Sequence, residues 1–244
     1  MSRDIQASII EHLRQVDVER RRREAAPVLK GAVQAVKAYQ QRRFRLTYAD
    51  LLATARYGAA SRFFLEELYG PIDFSQRDAQ FARVVPALVR LFPAEVVRTV
   101  DTMARLHAVS EQLDSEMGAH LTGFEAEASA YIHAWQATGR ADAREAQIAL
   151  TLEVGAALAR YTRKPLMYQT LRLMRGAARA ANLGNLQRFL ESGFDAFRAM
   201  NGADEFLSVI ACRERHLANT LFTGDSKRDN HPELPRNITD PTVR

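Results

Sequence analysis

The chain has 244 residues, of which 47% are hydrophobic, so it can bury one substantial core and a single domain is expected. Its 34 Lys and Arg residues face 29 Asp and Glu residues, and so many acids argue against a dedicated nucleic-acid binder. The single Cys212 excludes an internal disulfide, and no apolar run reaches the roughly 18–20 residues of a membrane span. No signal-peptide pattern is present, so a cytoplasmic location is predicted.

Two helices are predicted at the start of the chain, over residues 3–24 and 27–43. The first has apolar residues at helical spacing and ends in four consecutive arginines, Arg20–Arg23. Cations stabilise the carboxyl end of a helix, so this run is typical of a solvated helix end. Such a run can also bind phosphate or acidic lipid. Residues 1–43 are predicted to form a peripheral helical hairpin.

A central helix is predicted over residues 47–69, because its apolar residues recur at helical spacing on more than one face. Gly70 provides a left-handed cap, and Pro71 cannot continue the backbone hydrogen bonds. The turn that follows carries Ile72 and Phe74. Since these are apolar residues in a connection, the turn is predicted to fold back onto the core.

The rest of the chain also has helical spacing, with turn residues between the segments and no alternating strand pattern. The predicted helices cover residues 75–91, 93–121, 124–138, 142–162, 165–182, 185–200 and 203–222. The sequence therefore predicts an all-α fold, with one compact domain of about eight or nine helices over residues 1–222. Residues 223–244 are polar and lack periodicity, which predicts a disordered tail.

The central helix closes with the run Phe63-Phe64-Leu65-Glu66-Glu67-Leu68-Tyr69. This run resembles the signature of a bacterial family named for it, the FFLEELY motif proteins. Further similar parts are Gly70-Pro71, Asp73-Phe74, Arg77-Asp78, Gly193-Phe194 and Ala196-Phe197. The resemblance covers roughly residues 45–222 and implies an uncharacterised family with no assigned activity, so it gives no residue a role. Abundant arginine and alanine also fit a bacterial coding sequence.

A metal site was considered on the long helix, where His107, Glu111 and Asp114 lie at i, i+4 and i+7. Bundle di-iron sites need two Glu-x-x-His pairs and two further glutamates, and that spacing does not occur here. These residues are interpreted as surface polar residues, and no metal and no cofactor are expected.

A haem or small-ligand pocket is the alternative. Phe63 and Phe64 precede a turn with Phe74, and His107 follows about thirty residues later, which loosely matches the layout of globins. In such a pocket His107 would be the axial ligand.

A partner surface is predicted on the helix after Pro165, where Arg172, Arg175 and Arg179 fall at i, i+3 and i+7. Guanidinium groups bind carboxylates or phosphates in a bidentate manner, so the expected partner is an acidic protein or a second copy of the chain. The competing interpretation is that these arginines pair internally with acids such as Glu191.

The sequence contains no nucleophile, Walker or zinc motif and identifies no catalytic residue. A non-enzymatic cytoplasmic interaction module is therefore the leading functional prediction. The alternative is the haem- or small-ligand-binding helical protein, and an enzyme of unknown class is third.

Overall fold

The computed structural model describes residues 2–68, 75–121, 127–223 and residue 234. These residues form twelve α-helices and one π turn, with no strand among them. The helices are α1 (Ser2–Glu24), α2 (Pro27–Thr47), α3 (Ala49–Ala53), α4 (Gly58–Phe63), α5 (Ser75–Leu91), α6 (Ala94–His120), α7 (Ala128–Thr138), α8 (Ala141–Thr162), α9 (Pro165–Leu173), α10 (Arg175–Ala180), α11 (Gly184–Ala199) and α12 (Asp204–Thr223), and the π turn is Phe64–Leu68. The all-α prediction is confirmed, but eight or nine helices is too few.

Part of the difference comes from the predicted central helix, which is divided into α3, α4 and the π turn. Thr54 has an extended backbone, its hydroxyl donates to the carbonyl of Leu51, and it accepts from the amide of Tyr57. A threonine that bonds to nearby backbone groups ends one helix and starts the next. The chain folds tightly here, since a Cβ on Gly58 would lie 2.8 Å from the carbonyl oxygen of Leu52.

The helix predicted over residues 165–182 is also divided, at Met174 between α9 and α10. Most other predicted helices agree with the structure to within one or two residues, although α2 continues to Thr47. The predicted turn with Ile72 and Phe74 lies outside the described residues.

Helix α6 is the central element of the one compact domain, and α1, α2, α7 and α8 pack along it. The predicted peripheral hairpin contributes directly to the interior, since Ile9 and Val16 of α1 and Tyr39 of α2 are almost completely buried. Burial of these side chains makes α1 and α2 part of the body of the domain.

The apolar interior contains two large clusters, and the long helices contribute to both. The first cluster includes Phe63, Phe64, Phe189, Phe197 and Phe206. The second includes Tyr39, Met117, Tyr131, Trp135 and Leu221. Of the predicted tail, residues 223–244, the structure describes Thr223, which ends α12, and Leu234, which is buried in the second cluster.

No helix in the described part of the chain combines the length and the apolar character that crossing a bilayer requires.

Candidate functional site

A layer of polar side chains separates the two apolar clusters, and helix α6 carries the middle of it. Its inner face is apolar at Val100 and Ala104, and apolar again at Met117. Between them lie His107, Ser110, Glu111, Asp114 and Ser115, of which Glu111, Asp114 and Ser115 are buried. Because i, i+3, i+4 and i+7 positions share one face of a helix, these side chains point to the same interior region.

Glu111 is held by cations from two other helices. Arg23 of α1 donates to its Oε2 at 2.5 Å, and Lys37 of α2 donates to its Oε1 at 2.7 Å. Burial would raise the pKa of Glu111, but the charges of Lys37 and Arg23 outweigh it and hold the pKa at about 2. The carboxylate is therefore ionised at neutral pH and balanced by two buried cations.

Asp78 of α5 forms a second charged group with His107 and Arg20. Its Oδ2 lies 2.8 Å from His107 Nε2 and 2.5 Å from the Arg20 guanidinium. Burial acts to raise the pKa of Asp78, yet the hydrogen bond from His107 and the charge of Arg20 keep it at about 2. Arg77 is the preceding residue in the chain, and its Nε lies 3.7 Å from Oδ1 of Asp78.

Asp114 differs from these two acids, because its closest hydrogen-bond donor is an amide. Gln40 donates to Oδ1 at 3.2 Å, and Lys37 lies 3.8 Å from Oδ2. Burial raises the pKa of Asp114, and Lys37 offsets this only in part. The neutral form of this carboxyl group is therefore favoured more than that of an ordinary aspartate.

Helix α8 closes the layer with Arg144 and Gln147. The Arg144 guanidinium donates to Oε1 of Gln147 at 3.0 Å and lies over the Trp135 ring at 4.1 Å. Gln147 donates in turn to the hydroxyl of Ser110 at 2.8 Å. Among the described residues, no carboxylate lies within ion-pair distance of Arg144, although it is buried.

A cavity of about 120 Å³ lies where this layer meets the first apolar cluster. Its polar wall includes Lys37, Gln40, Arg77, Asp78, His107, Glu111, Asp114 and Gln147. Its apolar wall includes Phe64, Phe81, Met103, Ala104, Leu186 and Phe189. Clefts with apolar walls and a few convergent polar groups are the usual form of small-ligand sites.

The π turn contributes to this wall. Phe64 is the first residue of the π turn and lines the cavity, while Phe63 packs behind it with ring centroids 6.3 Å apart. The carbonyl of Glu67 accepts a hydrogen bond from Arg77 at 2.8 Å. Single π turns inside helices occur frequently at functional sites. Arg77 therefore bonds to the backbone of the π turn that carries Glu66 and Glu67.

The structure brings together part of the predicted ligand pocket. Phe64 and His107 line the cavity, Phe63 lies behind its wall against Phe64 and Phe189, and Phe74 lies outside the described residues. The arrangement does not fit a haem. His107 Nε2 is bonded to Asp78, and the volume is below the roughly 300–1,000 Å³ typical of drug-sized ligand sites.

The interpretation of Glu111 and Asp114 as surface residues is wrong, since both are buried. The described residues contain no group of three or more His, Cys, Asp or Glu side chains arranged to hold a metal ion. The reason is that Lys37 and Arg23 occupy the positions around Glu111 where a cation would bind.

The four-arginine run is only in part a solvated helix end. Arg20 and Arg23 point into the polar layer, whereas Arg21 and Arg22 are exposed and pair with acids on their own helix. The inward direction of Arg20 and Arg23 could have been predicted from the sequence, because positions 20 and 23 continue the buried stripe through Ile9 and Val16 at helical spacing.

The predicted partner surface has a mixed outcome. Arg175 binds Glu191 of α11 at 2.5 Å, as the competing interpretation held. Arg172 and Arg179 are exposed, and Arg172 lies 5.6 Å from the centre of the Tyr168 ring. The three arginines therefore do not act as one free stripe.

Comparison with known proteins gives one family and no function. The profile of a family described as a domain of unknown function (DUF8198) matches residues 19–228. No curated protein and no solved structure matches the chain. The matched region includes every residue of the polar layer and of the cavity wall named above, including Arg20 and Arg23 of α1.

Proposed function

Since this chain belongs to the DUF8198 family, whose function is unknown, we propose a function from the geometry alone: it is a non-enzymatic binding protein for a small organic acid. The observation that supports this most is the cavity bounded on one side by buried charges and on the other by aromatic rings. The ligand's polar group would face Lys37 and Arg77, and its apolar part would contact Phe64, Phe81 and Phe189.

The size of the cavity supports a small ligand. An engineered cavity of about 150 Å³ in another protein holds benzene, and the cavity here has about 120 Å³. A ligand with one ring or a short aliphatic chain, together with one polar group, matches this volume.

The charge of the layer supports an acidic ligand. Three cationic side chains, Arg20, Arg23 and Lys37, lie against the carboxyl groups of Asp78, Glu111 and Asp114. Burial raises the pKa of Asp114, so its ionised form is disfavoured relative to that of an ordinary aspartate. Arg144 contributes a further buried cation at the edge of the layer. Because uncompensated buried charge is unfavourable, an anion that binds here would be stabilised.

The low pKa values of two of the three acids, Asp78 and Glu111, support a binding role rather than acid–base catalysis for these two side chains. General acids and bases work best when their pKa lies near the operating pH. The pKa values of Asp78 and Glu111 are both near 2, because each is surrounded by cations. At neutral pH these carboxylates are poor proton acceptors.

The proposal extends to the family and its setting. We propose that the FFLEELY motif proteins and this family are the same, with Phe64 of the motif as a ligand contact. A bacterial origin and a cytoplasmic location are part of the proposal, supported by the abundance of arginine and the single Cys212.

The test is thermal denaturation of the purified chain with benzoate, benzamide and benzylamine, which share a ring and differ in charge. A ligand present at 100 times its dissociation constant stabilises a protein by about 2.7 kcal/mol. Benzoate is expected to raise the melting temperature, whereas benzamide and benzylamine are not. Equal shifts with all three would contradict a site for an acid, and no shift with any acid of this size would contradict the proposal.

Matched variants locate the site. Phe189→Ala and Phe194→Ala each empty a buried position on α11, at a cost of ~3–5 kcal/mol, but only Phe189 lines the cavity. Phe189→Ala is therefore expected to change acid binding, and Phe194→Ala is not. On α2, Lys37→Gln is expected to weaken binding, with the exposed Lys30→Gln as the control.

A further inference from the structure

The outer face of α9 and α10 carries two largely exposed leucines, Leu166 and Leu173. Two backbone hydrogen bonds, Met174 to Thr170 and Ala178 to Met174, carry the helical ladder across the break. Leu166, Thr170, Leu173 and Ala177, at i, i+4, i+7 and i+11, form what is here called the outer stripe, and all four are exposed. Leu166 is 76% exposed and Leu173 is 84% exposed.

The opposite face of the same helix pair already packs on the domain. Tyr168 stacks on Phe194 with ring centroids 5.4 Å apart, and Met167 and Leu171 pack in the same cluster. A surface helix normally buries one apolar stripe and exposes a polar face. Because α9 buries one apolar face and exposes another, its outer stripe is available to a partner.

The outer stripe lies in a stretch of sequence whose charged residues are all positive. Residues 154–190 contain no Asp or Glu and seven cations, which are Arg160, Arg163, Lys164, Arg172, Arg175, Arg179 and Arg188. Some of them pair with acids elsewhere, as Lys164 does with Glu95 and Arg175 with Glu191. Within the described ranges, Arg172 and Arg179 have no ion-pair partner, and both are exposed. The partner that fits such a surface is anionic.

The shape of the outer stripe distinguishes between anionic partners. A helical peptide docks into a groove, whereas the leucines here project outward and do not line the cavity described above. A Cβ placed on Gly176 would have no atom within 4 Å, so the described part of the chain forms no wall there. A second copy of the chain docked symmetrically through this face would place Arg172 and Arg179 of both copies in one interface, where like charges repel.

We propose that α9 and α10 dock the protein on an anionic lipid bilayer. The leucines of the outer stripe enter the boundary between headgroups and acyl chains, and the flanking arginines reach the acidic headgroups through their long side chains. Juxtaposed Lys and Arg side chains are attracted to the negative surface potential of such membranes.

The test is co-sedimentation of the full chain with vesicles. One set consists of phosphatidylcholine, and the other of equal parts phosphatidylcholine and phosphatidylglycerol. The protein is expected to sediment with the second set and to be released by 1 M salt, at which the Debye length falls to about 3 Å. Binding to neither set, or equally to both, would overturn the proposal.

Matched variants separate this face from the rest of the surface. Leu166→Gln and Leu173→Gln are each expected to lower vesicle affinity on the order of tenfold. Leu91→Gln, at a residue 71% exposed at the end of α5, is the control and should leave affinity unchanged. An equal loss in all three variants would overturn the proposal. A dimer that is detected by sedimentation equilibrium and dissociates in Leu173→Gln would also overturn the proposal.

A probe of insertion makes the test independent of affinity. In a Cys212→Ser background, a polarity-sensitive dye is attached to Leu173→Cys or to Leu91→Cys. The emission of the dye at position 173 is expected to shift to the blue with the phosphatidylglycerol vesicles, while that at position 91 stays unchanged. A dye at position 173 that stays in water with bound vesicles, or that shifts instead with a soluble acidic peptide, would overturn membrane docking.

Discussion

At the scale of single residues, Glu111 of the polar layer binds cations from two other helices. One carboxylate joins α1, α2 and α6, because Arg23 and Lys37 each bond to a different oxygen. A buried ion pair does little for stability compared with apolar residues of the same shape, but removing one partner leaves an uncompensated charge. Removing the Glu111 carboxylate would therefore destabilise the fold mainly by leaving Arg23 and Lys37 without a counter-charge.

The first prediction concerns Glu111→Gln. This change keeps the size of the side chain and leaves Arg23 and Lys37 without their counter-charge, so it is expected to lower the free energy of unfolding by ~3–5 kcal/mol. Urea denaturation measures the loss. Glu11→Gln removes an acid from an exposed pair with Arg14 and is expected to leave the midpoint unchanged. Equal midpoints for the two variants would show that Glu111 is hydrated in solution.

The second prediction concerns pH. The pKa of folded Glu111 is about 2 and its ordinary value is 4.5, so the ionised form stabilises the fold. That contribution, about 3 kcal/mol, is complete above about pH 4.5 and is lost as the pH falls toward 2. Asp78 acts in the same direction, from 3.8 to about 2. The urea midpoint is expected to fall steeply between about pH 4.5 and pH 2, and less steeply in Glu111→Gln. The same slope in both proteins would contradict this assignment.

At the scale of elements, the contact between α2 and α6 depends on a glycine. A Cβ on Gly118 would lie 2.6 Å from Cγ2 and 3.2 Å from the backbone nitrogen of Val33. The second of these atoms belongs to the backbone of α2, so the helices themselves would have to separate. This close approach positions Lys37, one turn farther along α2, beside Glu111.

The third prediction is that Gly118→Ala destabilises the protein by ~1–3 kcal/mol, the usual cost of overpacking. Gly176→Ala, on α10 with open space around it, is the control. There the substitution is expected to stabilise the protein by roughly 0.5–1 kcal/mol, because alanine favours the helix. Thermal unfolding of both variants measures the difference, and a neutral Gly118→Ala would mean that α2 shifts without cost.

The elements were predictable from the sequence where apolar spacing and breakers agreed. Ser75–Leu91 and Ala141–Thr162 have nearly the predicted bounds. The break in the predicted central helix was not predicted. It depends on a local polar contact, the hydrogen bond from the Tyr57 amide to the Thr54 hydroxyl, and hydrophobic periodicity does not reveal such contacts. Helical spacing also placed Glu111 and Asp114 on one face. It did not indicate burial, since their partners Lys37 and Gln40 lie about seventy residues away in the chain.

At the scale of the whole molecule, the contacts within the polar layer argue against a bound haem or metal ion. The fourth prediction is that purified protein shows no Soret band and less than one equivalent of bound metal. His107 is bonded to Asp78, and Glu111 is enclosed by Arg23 and Lys37, so neither offers an open coordination position. Absorption spectroscopy and elemental analysis measure these quantities. A Soret band that His107→Ala abolishes would make His107 an axial ligand instead.

The division of the interior into two apolar clusters has a consequence for folding cooperativity. Helices α2, α6 and α12 cross the polar layer, where Arg43 and Glu214 form another ion pair between α2 and α12. While these pairs are intact, we expect the clusters on either side to unfold as one unit, with equal calorimetric and van't Hoff enthalpies. At low pH the carboxylates of the polar layer become protonated and their ion pairs are lost. We then expect one cluster to open while the other remains folded, so that the calorimetric and van't Hoff enthalpies differ.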